Sequence, residues 1–141
     1  MTMTYKFIKG DLFDFYDTHY LVYCISADYA LGAGIAKEIE KRYHVKDKLR
    51  RFGCGKYPDC IKVGRIYNLV TKQRYFQKPT YESLEDALYC LKAQVRALGT
   101  KNLAMPLIGC GLDRLDWKIV WHMIQDIFCE QDVNIVVIVR E

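Results

Sequence analysis

Proline and histidine are scarce in this sequence, at 3 residues each, and no apolar run reaches the ~18 residues that a membrane-spanning helix needs. With 9 glycines beside those prolines, a collagen-like chain is excluded and bulk disorder is disfavoured. His19, His44 and His122 stand at no metal-ligand spacing. There is no G-x-S-x-G elbow, so a serine hydrolase is disfavoured. Neither GKT nor GKS occurs, and the full GxGxxG fingerprint is missing, which speaks against a P-loop ATPase and a dinucleotide-binding unit. Met1-Thr2-Met3-Thr4-Tyr5-Lys6 carries no apolar signal-peptide core. Neither charge dominates: 21 Lys and Arg against 17 Asp and Glu give +4, too little to mark a nucleic-acid binder. An intracellular protein with no membrane partner is expected.

What is present is apolar material, 51% of 141 residues. A chain of this mass buries roughly two thirds of its extended surface, down to about 7,500 Å², so a core forms without disulfides or structural metal. One domain spanning residues 1–141 is expected. The cysteines Cys24, Cys54, Cys60, Cys90, Cys110 and Cys129 are scattered, with no CxxC, and read as reduced thiols.

Extended segments are expected within Tyr5–Leu12, ending at Gly10-Asp11, and at Tyr20–Ile25. The second is nearly all apolar, as suits a strand covered on both faces. Ile35, Ile39 and Tyr43 mark a helix. Val45–Asp59 is basic and reads as irregular, a solvated loop and helix end in preference to a nucleic-acid patch. Ile61–Val63 and Arg65–Val70 read as a hairpin or two short strands. Leu84, Ala87, Leu88, Leu91, Val95 and Leu98 form the clearest helical stripe, with Thr80 or Ser83 as its cap and Gly99 as its stop. Asn102–Pro106 is a short strand. Trp117 to Phe128 is a last helix capped by Asp116, and Ile135–Val139 a last buried strand. Strands alternating with helices predict a three-layer α/β/α domain with a mixed, mostly parallel sheet. Such sheets bind ligands outside the carboxyl ends of their strands, here the loops after Ile25, Val70 and Leu107.

Two of those loops are glycine-rich. Gly32-Ala33-Gly34 precedes a helix whose first N–H groups lack internal partners, and Gly109-Cys110-Gly111 is a second such turn. Each is either a plain tight turn or one half of a diphosphate cradle built from backbone N–H groups. Asp11 can accept from a purine amine or close a local turn. Lys72 can be a phosphate contact, a surface cation or a nucleophile, and by position alone the surface cation is the simplest reading. Asp116 reads as a helix cap, whereas Asp113 can face the cleft.

Taken together, Gly10-Asp11-Leu12-Phe13, Cys24-Ile25-Ser26, Gly32-Ala33-Gly34-Ile35-Ala36, Leu69-Val70-Thr71-Lys72, Lys78-Pro79-Thr80-Tyr81 and Gly109-Cys110-Gly111-Leu112-Asp113-Arg114-Leu115 resemble a macrodomain. The branch they look like holds the terminal ADP-ribose protein glycohydrolases and related glycohydrolases that remove ADP-ribose from DNA. The resemblance implies a cleft for ADP-ribose. Asp11 would meet the adenine amine, with Leu12 offering a backbone N–H. Ser26 would lie near the distal ribose or phosphate. Gly32, Ala33, Gly34 and Ile35 would form one diphosphate loop, and Gly109, Cys110, Gly111 and Leu112 the other. Thr71 joins the ligand-binding set, and Lys72 and Asp113 become the catalytic pair. Ala27 departs from the branch, which carries an acid there, and Tyr75 and Phe76 can reshape the entrance.

The implied activity is release of ADP-ribose from glutamate or aspartate esters or small O-acyl-ADP-ribose, a deacylation that reverses ADP-ribosylation. Alternatives are removal of ADP-ribose from DNA, as in DNA damage, dephosphorylation of ADP-ribose 1″-phosphate, and non-catalytic ADP-ribose reading. No metal or cofactor is expected, and a monomer is.

Overall fold

The apolar stripe at Leu84, Leu88, Leu91 and Val95 has to be covered, and it lies flat on a six-stranded sheet. The computed structural model describes residues 2–140. Its strands are β1 (Thr4–Lys9), β2 (Tyr20–Ser26), β3 (Asp59–Val63), β4 (Ile66–Lys72), β5 (Asn102–Met105) and β6 (Asn134–Val139). They lie side by side in the order β1-β6-β5-β2-β4-β3. Only β3 runs antiparallel to its neighbour, joined to β4 by the tight turn at Gly64-Arg65, and the other pairings are parallel.

Helices cover both faces, as the alternating pattern requires. α1 (Gly34–Tyr43) and α2 (Lys46–Phe52) lie over one face, where Ile39, Val45 and Leu49 meet Leu21, Tyr23 and Ile25. α3 (Tyr81–Leu98) and α4 (Trp117–Phe128) lie over the other, where Leu84, Leu88, Ile124 and Phe128 meet Val22, Leu69 and Leu103. The accessible surface, 7772 Å², matches the size-based expectation.

Two local expectations change. The basic stretch from Val45 is not simply irregular: α2 occupies its first half, because Val45 and Leu49, four apart, are both buried beneath it. The first strand stops at Lys9. Asp11 then accepts the Phe13 N–H at 3.0 Å and caps a short 3-10 turn, Leu12–Phe15.

The start of α3 ties helix to sheet next to the suspected loop after Val70. Thr80 and Ser83 form a reciprocal capping box, each side chain accepting the other's backbone N–H at 3.0 Å. Ser83 Oγ also donates to the Thr71 carbonyl at 2.7 Å, locking α3 onto β4. Thr80→Ala is therefore expected to cost about 1 kcal/mol, read as a lower urea midpoint with an unchanged slope.

Candidate functional site

The carboxyl ends of β2, β4, β5 and β6 open into one cleft of about 720 Å³. Its floor is apolar, with Tyr23, Ile25, Ile35 and Ile138 among its residues, and backbone-rich loops form its rim. The first loop follows β2. Ala33 precedes α1 in an extended conformation and makes no side-chain cap, so the first amides of α1 keep their donors for a ligand. The second loop follows β5. Gly109 adopts φ +75°, and the loop closes with the Leu115 N–H on the Gly109 carbonyl at 2.7 Å. Among the described residues, the amides of Gly111, Leu112 and Asp113 find no protein acceptor.

The two loops meet across the cleft. A Cβ at Gly34 would lie 3.3 Å from Leu112 Cδ1, so a bare glycine lets Leu112 reach over. Lys78 Nζ donates to the Leu112 carbonyl at 2.5 Å and holds that loop from the α3 side.

At one end of the cleft, Lys72 Nζ lies 2.7 Å from Asp113 Oδ1, and each side chain is only 15% exposed. The residues are 41 apart in sequence, and β4 and the second glycine loop deliver them. β4 holds the backbone of Lys72 through pairing with Ser26, and the Ala27 N–H donates to the Lys72 carbonyl at 2.8 Å. An amine beside a carboxylate, screened from bulk water, has the composition of a nucleophile with a proton acceptor at hand.

Cys24 and Cys110 also line this cleft. Burial pushes the Cys24 thiol far above its ordinary range and Cys110 up to about 11, so both remain protonated at neutral pH. Neither is a competing nucleophile. All six cysteines are free.

The cleft thus gathers Ser26, Gly32, Ala33, Gly34, Ile35, Lys72, Gly109, Cys110, Gly111, Leu112 and Asp113. Asp11, Leu12 and Thr71 are not in its lining. Asp11 stands just past the end of β1, beside β6, whose Ile138 lines the cleft, with Arg140 beyond it. Leu12 is buried, and Thr71 is buried where α3 begins, its carbonyl bonded to Ser83. Sequence reasoning missed Tyr23, Ile138 and Arg140, which topology alone brings here. Of the two aromatics beyond the Thr71-Lys72 motif, Tyr75 lines the cleft and is 65% exposed, whereas Phe76 is exposed outside its lining.

Asp28 accepts the Ser26 hydroxyl at 2.5 Å, the Ala30 N–H at 3.2 Å and the Tyr75 N–H at 2.9 Å. Partial burial works against the charged carboxylate, but these bonds and the nearby charge of Arg74 outweigh it and hold its pKa below the ordinary range. A depressed carboxylate pKa stabilises the fold above the ordinary value, so this contribution is complete at neutral pH and is lost only in acid.

Among the described residues, no cluster of His, Cys, Asp and Glu is placed to hold a metal, and no helix is long and apolar enough to cross a membrane. No family model matches the chain. Whole-protein comparison is informative: the chain is 41% identical over 134 residues to the ADP-ribose glycohydrolase OARD1 of Homo sapiens, covering 93% of this chain and 88% of that one. In structure it is similar to the macrodomain of Thermus aquaticus DarG, at a TM-score of 0.84 and 21% identity over 96% of this chain and 97% of that one. It is also similar to Thermosipho africanus DarTG in complex with ADP-ribose, at a TM-score of 0.75 and 18% identity over 96% of this chain and 41% of that one. The sheet order, the paired glycine loops and this identity along nearly the whole chain agree: the chain belongs to the OARD1 family of ADP-ribose glycohydrolases, on the macrodomain fold.

Proposed function

We propose that this protein releases ADP-ribose from acyl esters, on glutamate or aspartate side chains or on small O-acyl-ADP-ribose, using Lys72 and Asp113 as its catalytic pair. The observation that carries this is the 2.7 Å contact between Lys72 Nζ and Asp113 Oδ1 inside the glycine-loop cleft. A reader of ADP-ribose needs the loops but not the pair.

In this reading the two loops hold the diphosphate through backbone N–H groups, which explains anion binding without a strongly basic protein. Asp11 keeps one carboxylate oxygen for Phe13 and offers the other to an exocyclic purine amine at the adenine end. Lys72 passes a proton to Asp113 and attacks C1″ of the distal ribose. Where the ester is at C1″, the C1″–O bond breaks, and the acyl carboxylate leaves with its electron pair. Asp113 then protonates the ring oxygen as the sugar opens to a lysyl imine. Water hydrolyses the imine, freeing Lys72 and ADP-ribose. The net change is ester plus water giving acid plus ADP-ribose.

A release assay on ADP-ribosylated protein, O-acetyl-ADP-ribose, ADP-ribosylated DNA and ADP-ribose 1″-phosphate tests the proposal, with the acyl esters expected to turn over fastest. Binding without turnover on any of them makes the protein a reader. Free ADP-ribose at 100 times its Kd should stabilise the fold by about 2.7 kcal/mol, seen as a rise in melting temperature of several degrees. No shift at saturation removes the ADP-ribose assignment.

One observation supports the DNA arm as a second reading. α2 and the turn after it expose Lys48, Arg50, Arg51 and Lys56 with the aromatics Phe52 and Tyr57, a mixture suited to single-stranded nucleic acid. The Gly55 N–H on Tyr29 Oη, at 3.1 Å, joins this segment to the loop after β2, whose next residue, Ala30, lines the cleft.

A further inference from the structure

Asp28 lies outside the cleft lining, yet its carboxylate joins the two walls that flank Lys72. On the β2 side it takes the Ser26 hydroxyl and the Ala30 N–H, both on Oδ1. On the β4 side it takes the Tyr75 N–H on Oδ2, from 47 residues away. Lys72 is held between these ties, its carbonyl on the Ala27 N–H and its amine on Asp113.

A serine hydroxyl has one proton to give, and an ionised carboxylate only accepts. The Ser26 proton is therefore spent on Asp28. Ser26 Oγ, buried and on the cleft wall, is left with lone pairs alone. It can accept from a sugar hydroxyl, but it cannot donate to a phosphate oxygen. This separates the two ligand groups that the sequence leaves open for Ser26.

We infer that Asp28 is a positioning residue that fixes Ser26 as an acceptor for a ribose hydroxyl and pins the Tyr75 segment, so that Lys72 and the reacting sugar are held in register. The inference rests on the proposed use of the cleft for an ADP-ribosyl substrate.

Asp28→Asn is the informative change, because it keeps the shape and cannot keep the bonds. Three donors converge on two carboxylate oxygens. An amide group turned either way sets its NH2 against a backbone N–H, of Ala30 or of Tyr75. Geometry at the reacting centre matters more in the transition state than in binding. The expected result is a kcat lower by about tenfold with KM within about threefold. Amide hydrogen exchange at Tyr75 should quicken. In a Ser26→Ala background the same substitution should cost about threefold or less, since part of its effect runs through the hydroxyl.

Wild-type kcat in Asp28→Asn, unchanged exchange at Tyr75, or full additivity with Ser26→Ala would each overturn the inference. If Asp28→Asn does not fold, Asp28→Ser, which keeps one acceptor, is judged by the same criteria. If the wild type releases ADP-ribose from no substrate, the functional proposal fails by itself. Exchange at Tyr75 then still decides whether Asp28 pins the segment.

Discussion

Lys72→Ala is expected to lower ADP-ribose release by at least about 10³-fold while the protein stays folded and still binds free ADP-ribose, because a missing nucleophile has no substitute in the cleft. Asp113→Ala should give a loss of the same order, and the double variant little more, since the two act on one step. Lys72→Arg separates the roles open to this cation. A phosphate contact tolerates arginine, whereas a nucleophile does not, because guanidinium does not deprotonate in proteins. Cys24 and Cys110 offer no rescue, as burial keeps both thiols protonated. The side chains of Lys72 and Asp113 keep 15% of their exposure, so losing one partner should cost only about 1–2 kcal/mol of stability. Steady-state release by the three variants, beside melting curves, checks this. Rates equal to wild type refute the assignment of the pair.

Gly109→Val is expected to destabilise the protein by about 3–4 kcal/mol and to lower its melting temperature by more than about 10 °C. Two costs add. Gly109 sits at φ +75°, where a side chain costs about 1–2 kcal/mol. A Cβ there would also lie 3.0 Å from Leu115 Cδ1 and 3.2 Å from Leu84 Cδ2, so valine overpacks the base of the loop by about 1–3 kcal/mol more. Gly111, two residues on, is the control: a Cβ there meets nothing within 4 Å. Gly111→Ala should leave the melting temperature nearly unchanged and weaken ADP-ribose binding, measured by calorimetry. If the two substitutions destabilise equally, the distinction between a packing glycine and a ligand-facing glycine is wrong.

Much of the architecture was legible in the chain itself. The stripe from Leu84 to Val95 reads as one covered helix face, and its cap at Thr80 and stop at Gly99 stand where local backbone chemistry requires them. The apolar run at Tyr20–Ile25 reads as a strand covered on both faces, and β2 packs Val22 into one core and Leu21, Tyr23 and Ile25 into the other. α2 was harder to see. Only Val45 and Leu49 anchor it, and a cationic surface hides that short period. Such a helix is stable through tertiary packing more than through its own propensity.

The candidate site divides in the same way. Residue type and local order mark Gly32-Ala33-Gly34 and Gly109-Cys110-Gly111 as glycine turns, because positive φ and bare amides are local properties, but leave open whether each is a plain turn or part of a cradle. Lys72, by contrast, reads as a surface cation by position alone; the family resemblance pairs it with Asp113, and β4 sets it 2.7 Å from that carboxylate. Tyr23 and Ile138 look like ordinary strand residues, and only the sheet order turns them into cleft lining. The bond from the Tyr75 N–H to Asp28 has no local signal either, since it links two loops 47 residues apart. Helix caps, strand runs and glycine turns depend on neighbours in sequence, so sequence alone determined them. The meeting of Lys72 with Asp113 and of Asp28 with Tyr75 depends on which strands lie side by side, and that was decided only when the sheet closed over its core.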